Sequence, residues 1–182
     1  MAVIIGAKPD SGFDNPIGML KDCHRRIEGF LGILCLVCGQ ARGRALTDDE
    51  RSAAEAALRY FGESGPRHNA DEEESVFPRL REGASSVLAE VMQLEADHRD
   101  ADDLHEQVAT FYRRWIAEGR LTAEDHAQLV TCTSKLQLLY REHIRIEEEV
   151  VFPRAAELFD LNTVRSVGAE FKARRESTTR NA

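Results

Sequence analysis

The chain has 182 residues, long enough for one domain with a core that needs no disulfides. Hydrophobic residues make up 42% and charged residues 31%, and the formal net charge is -8. This balance argues against a nucleic-acid partner and against an anionic membrane surface, both of which select a basic face. No apolar run reaches the roughly 18 to 20 residues of a membrane helix.

Residues 1-14 form an N-terminal arm. Its apolar patch, Ala2-Val3-Ile4-Ile5, lacks the charged start and long apolar middle of a secretory signal. The expected compartment is therefore the cytoplasm, where the four cysteines stay reduced. The first predicted helix carries Ile17, Leu20, Ile27, Leu31, Leu34, Cys35 and Cys38 on one stripe, with His24 inside it. Cys35 and Cys38 make a CxxC with no second copy. They read as core thiols, with a functional pair as the alternative.

Thr47 and Glu50 have the spacing of a capping box and start the second helix. Its inner face runs Ala54, Leu58, Phe61, His68, Glu72 and Val76, with a kink or break between Gly62 and Pro66. The third helix spans about Ser86 to Trp115. Its inner face holds Val91, Leu94, His98, Ala101, His105, Val108, Phe111 or Tyr112, and Trp115. Thr122 and Asp125 cap the fourth helix in the same way as the second. The fourth inner face holds Leu129, Leu136, Leu139, His143, Glu147 and Val150, while His126 is expected to be exposed in its first turn. Pro78 and Pro153 end or kink their helices. A short fifth helix is expected from about Asn162 to Arg174. The pattern predicts an all-α, up-down four-helix bundle over 15-158, followed by a short helix and tail over 159-182.

The chain is written twice. Leu46-Thr47 to Phe77-Pro78-Arg79 aligns without gaps on Leu121-Thr122 to Phe152-Pro153-Arg154, 75 residues on. The repeated cores read HNADEEESVFP and HIRIEEEVVFP. Upstream, His24 in CHRR matches His98 in DHRD. Each half thus carries one histidine, a turn, and a His-x-x-x-Glu.

Residues four apart share a helix face, so His68 with Glu72 and His143 with Glu147 can aim at one interior point. Taken singly, a histidine on an apolar face is more often a core residue, and a glutamate run is usually solvated. Taken as a repeat in phase with the apolar stripe, they predict metal ligation. A buried, unpaired carboxylate costs several kcal/mol. No arginine falls on the predicted inner faces to balance two of them, whereas a pair of cations about 3.5 to 4 Å apart would. Imidazole and carboxylate suit iron, manganese or zinc. Glu73 and Glu148 are turned roughly 140° from the histidine face and read as second-choice ligands or as supporting partners.

These residues resemble the hemerythrin-like family, the HHE cation-binding domain. The pattern H, HxxxE, H, HxxxE appears as His24, His68 with Glu72, His98, and His143 with Glu147. The Phe-Pro after each HxxxE also matches the family. The resemblance implies two non-haem iron ions, oxo- or hydroxo-bridged, with manganese or zinc the lesser alternatives. Glu72 and Glu147 would bridge. His24 with His68 would serve one ion, and His98 with His143 the other.

Oxygen-carrying members have an HxxxH on the third helix, but here Asp102 follows His98 at that spacing. Asp102 is either a further ligand or a hydrogen-bond partner of one, and His105 is expected to line the core or a pocket. The implied function is a sensor or protective protein binding oxygen, nitric oxide or peroxide. The alternatives are an enzyme decomposing hydrogen peroxide, or an iron donor for iron–sulfur cluster repair. The sequence names no protein partner. A ferritin-like oxidase is disfavoured because its Glu-x-x-His occurs once, at Glu95 and His98, and a zinc hydrolase because no HExxH is present.

Overall fold

The computed structural model describes residues 11–180, all-helical apart from short connections, with no strand among the described residues. Part of the N-terminal arm, including Ala2-Val3-Ile4-Ile5, lies outside them. Asn15 opens the first helix, α1 (Pro16–Ala41): its side chain accepts from the Gly18 N–H at 3.0 Å, and Pro16 occupies the first turn, where its missing N–H costs nothing.

The predicted capping box holds at Thr47. Its hydroxyl accepts from the Glu50 N–H, and Glu50 Oε2 accepts from the Thr47 N–H at 2.9 Å. Such a cap stabilises a helix by about 1 kcal/mol. The second rod then runs as α2 (Asp48–Glu63) and α3 (Gly65–Asp71). Ser64 between them keeps right-handed angles, and the His68 N–H still reaches the Ser64 carbonyl at 3.1 Å. The expected break is therefore a one-residue interruption in a continuing rod. A π-helical turn (Glu72–Val76) and α4 (Phe77–Gly83) complete this rod.

After a 3₁₀ turn (Ser85–Val87), the third rod is α5 (Leu88–Glu118), closed by Gly119 at φ 75, a left-handed cap that glycine adopts without strain. The fourth rod is α6 (Ala123–Ile146), a second π turn (Glu147–Val151) and α7 (Phe152–Leu158). Thr122 caps α6 through the Asp125 N–H at 3.1 Å. The cap is only half a box, because the Asp125 carboxylate is drawn instead to Arg114.

The rods close in a ring, α1 against α2 and α6, and α5 against α6 and α2. This is the expected up-down bundle with an extra C-terminal helix. That fifth helix, α8 (Leu161–Arg180), is longer than the periodicity indicated and lies across α1, α3 and the first π turn. Gly168 permits a close approach there: a Cβ would fall 1.9 Å from the Phe13 carbonyl oxygen.

The π turns were not foreseen. In each, the N–H of Phe77 or Phe152 bonds a carbonyl five residues back, on Glu72 or Glu147. The proline that follows each phenylalanine lacks the N–H an α-helix requires, which accounts for the disruption falling there. The extra residue shifts the helical phase. Val151, not the predicted Val150, enters the core like its counterpart Val76; Val150 is 36% exposed, whereas its counterpart Ser75 is buried beneath α8, where Arg174 bonds it.

The interior divides into two apolar clusters. One contains Ile27, Leu34, Ala101, Tyr112, Trp115 and Leu136. The other contains Leu20, Phe77, Leu94, Phe152 and Phe171. His24 lies between Leu20 and Ile27 in sequence, and His98 between Leu94 and Ala101, so the polar centre sits at the seam. Tyr112 fills the alternative left open at 111 and 112, with Phe111 only packed against the edge. Cys38 is buried and Cys35 half-buried, both as free thiols. His126 departs from expectation: it is half-buried, its Nε2 3.0 Å from the Cys38 carbonyl and its ring edge-on to Trp115. Among the described residues no helix is long and apolar enough to cross a membrane.

Candidate metal centre

The six residues singled out by the repeat are all buried, with Glu72 and Glu147 fully enclosed. They form two overlapping groups. His24, His68, Glu72 and Glu147 offer ligand atoms within 4.8 Å of one another, and so do His98, His143, Glu72 and Glu147. Both glutamates belong to both groups, so each sits where a carboxylate could bridge two ions. The Nε2 atoms point inward. His24 Nε2 is 3.0 Å from Glu147, His68 Nε2 3.4 Å from Glu72, His98 Nε2 3.3 Å from Glu72, and His143 Nε2 3.4 Å from Glu147.

The donor set fits metal ions on a structural ground. His24 Nε2, His98 Nε2 and all four carboxylate oxygens of Glu72 and Glu147 are buried without a hydrogen-bond partner. Native interiors leave few such atoms unsatisfied, and a cluster of them facing one space calls for an occupant. The atoms are all nitrogen and oxygen, with no thiolate among them, a donor set that suits iron, manganese or zinc.

The family model for the hemerythrin HHE cation binding domain matches residues 15–155. The chain belongs to the hemerythrin HHE cation-binding family. No curated protein matches it.

The arrangement around the ligand atoms of this hemerythrin-like chain is crossed between its halves. His24 Nδ1 donates to Glu148 at 2.8 Å, and His98 Nδ1 donates to Glu73 at 2.7 Å. The second glutamate of each run thus fixes a ring in the opposite half and leaves its Nε2 facing inward. The phenylalanines of the two Phe-Pro pairs do more than mark helix ends. Phe152 stacks on His24 at 5.5 Å and 11°, and Phe77 on His98 at 6.3 Å and 10°. The repeat signalled these phenylalanines, but their role needed the fold.

Without cations the centre must hold protons. Burial, then the facing Glu147, raise the Glu72 pKa well above the carboxylate range. Burial opposes the charge of Glu147 as well, but His143 and His24 outweigh it and keep this carboxyl ionised. Burial likewise opposes a charge on His143, yet Glu147 and Asp97 push it up to about 10. Burial and the neighbouring His24 hold His68 neutral, and burial with His143 lowers His98. A shared site with one neutral and one ionised carboxyl is what two facing carboxylates adopt when nothing positive lies between them.

Asp102 does not join either group. It is exposed on α5, so the position of a fifth ligand brings no further side chain to the centre. His105 is in the core, as expected: its Nε2 accepts from the Tyr140 hydroxyl at 2.9 Å, and its ring lies 4.2 Å from that of Phe61. Asp97, whose Oδ2 lies 3.4 Å from His143 Nδ1, was missed. Only its place directly before His98 could have signalled it.

Proposed function

We propose that this chain is a non-haem di-iron protein that binds a small ligand such as oxygen, nitric oxide or peroxide. It would act as a sensor or protective protein in the cytoplasm. The observation that carries this reading is the enclosure of four imidazoles and two shared carboxylates, with their inward atoms unsatisfied, in a chain of the hemerythrin family. His24 and His68 would hold one ion and His98 and His143 the other, with Glu72 and Glu147 spanning both. Iron is favoured over zinc because the family is associated with it, and over soft metals because no thiolate is present. The iron pair supplies affinity for diatomic ligands and one-electron chemistry. The protein holds the ring orientations through Glu73 and Glu148 and keeps bulk water out with the two apolar clusters.

Four histidines and two carboxylates leave coordination positions open for a ligand. Decomposition of hydrogen peroxide is the second reading, favoured by the absence of a ligand at Asp102. Donation of iron to damaged iron–sulfur clusters is the third. Metal analysis of protein purified without a histidine tag tests the first reading, with two iron per chain expected. Near-ultraviolet absorption that changes reversibly with oxygen or nitric oxide supports it. Zinc content with no such absorption contradicts it, and gas evolution on adding peroxide moves the assignment to the enzyme.

A further inference from the structure

The two halves of the centre are copies in sequence but not in their outer contacts. Each imidazole that offers Nε2 inward carries its proton on Nδ1, and that N–H needs an acceptor. Three of the four have a carboxylate nearby. His24 has Glu148 at 2.8 Å and His98 has Glu73 at 2.7 Å; His143 Nδ1 is also without a hydrogen bond but has the Asp97 carboxylate 3.4 Å away. His68 has none: its Nδ1 is buried without a partner, in a side chain only 3% exposed.

One difference inside the repeat coincides with the gap. Asp97 directly precedes His98, and the residue directly preceding His24 is Cys23. At the sequence position from which the second half brings a carboxylate to within 3.4 Å of His143, the first half carries a thiol. Its sulfur accepts only a long contact from Arg26 Nη1, at 3.9 Å. A thiol is a weak acceptor. The His98–His143 side is thus backed by two carboxylates and the His24–His68 side by one.

Resting on the two-metal reading above, we propose that the two positions are inequivalent. The His98–His143 position fills first and holds its ion more tightly. The His24–His68 position fills last and empties first. Asp97 and Cys23 set the difference. Removing such an outer partner costs about 10- to 100-fold in metal affinity, so a gap of that order is expected between the two steps. The chain is then built to exchange one ion while the other, and the two shared glutamates, stay in place.

The test is an anaerobic calorimetric titration of metal-free protein with ferrous iron. Repulsion between ions separates two steps even in a symmetric site, so the variants decide. Asp97→Asn should weaken the first step about 10-fold or more and narrow the gap, with the second step largely unchanged. Cys23→Asp, which adds a carboxylate and removes none, should tighten the second step. Circular dichroism confirms that each variant is folded. Crystals of the natural protein carrying one equivalent of ferrous iron give a readout independent of any variant, with anomalous signal expected between His98 and His143. Signal beside His24 and His68, or divided equally, overturns the inference, as does an equal effect of either variant on both steps. Fewer than two ions bound in total overturns the two-metal reading itself.

Discussion

Glu148 holds the ring of His24, 124 residues away, through a 2.8 Å hydrogen bond to Nδ1. Glu73 does the same for His98 across the bundle. Neither glutamate offers an atom to the groups that could hold an ion, yet each fixes the tautomer of one that does.

Replacing either glutamate should therefore weaken metal binding without unfolding the bundle. Glu148→Ala and Glu73→Ala are each expected to lower affinity about 10- to 100-fold while helicity is retained. Competition with a chelator of known affinity measures the loss. Unchanged affinity in both variants would show that the crossed contacts do not orient the ligands.

Glu72 distinguishes the metal-free from the loaded protein. Burial and Glu147 keep its carboxyl neutral when no cation is present, so an amide closely imitates it. Glu72→Gln should leave the metal-free stability nearly unchanged. It should also remove the stabilisation that metal provides, about 3 to 4 kcal/mol at 100 to 1,000 times the dissociation constant. Thermal melts with iron and with chelator give both numbers.

His105 makes the metal-free protein sensitive to acid. Burial depresses its pKa to about 4, while the unfolded chain takes up the same proton near 6.5. The unfolded state binds more protons between those values. The contribution of His105 is therefore intact above pH ~6.5 and is lost as pH falls toward 4, about 3 kcal/mol in all. His105→Gln keeps an acceptor for Tyr140 and removes the titration. Urea unfolding of the metal-free protein at pH 7 and at pH 4.5 should show a drop smaller by about 2 to 3 kcal/mol in the variant.

The C-terminal helix is fastened to the residue next to Glu72. Asp71, 1% exposed, accepts from Arg174 Nη1 at 2.8 Å and from Arg175 Nη2 at 2.7 Å. Removing both cations strands a buried carboxylate, which typically costs about 3 to 5 kcal/mol. Arg174→Ala with Arg175→Ala should lower the unfolding free energy by that order. Adding Asp71→Asn should restore much of it, because no charge is then stranded. Equal stability of the double and triple variants would contradict this account of the clasp.

The repeat made the bundle and the six inward residues legible, because His24, His68, Glu72, His98, His143 and Glu147 fall in phase with the apolar stripes. What stayed hidden depends on tertiary contact or on departures from 3.6 residues per turn. An ideal helix puts Val150 inside, but it is 36% exposed while Ser75, its counterpart, is buried beneath α8, a cover that only the tertiary fold supplies. The spacing of Glu148 says that it leaves the His143 face but not that it meets His24. His126 looks like a solvated first-turn residue until Trp115 and the Cys38 carbonyl are brought beside it. The length of α8 is masked by its charged residues, whose partners Asp71 and Glu74 lie 100 or more residues earlier.

Anomalous diffraction from crystals of the iron-loaded protein tests the central claim most directly. Two peaks about 3.5 to 4 Å apart are expected between Glu72 and Glu147, one against His24 and His68 and the other against His98 and His143. Iron bound elsewhere, or a centre that stays free of metal with Glu72 and Glu147 hydrogen-bonded to each other, would contradict the account.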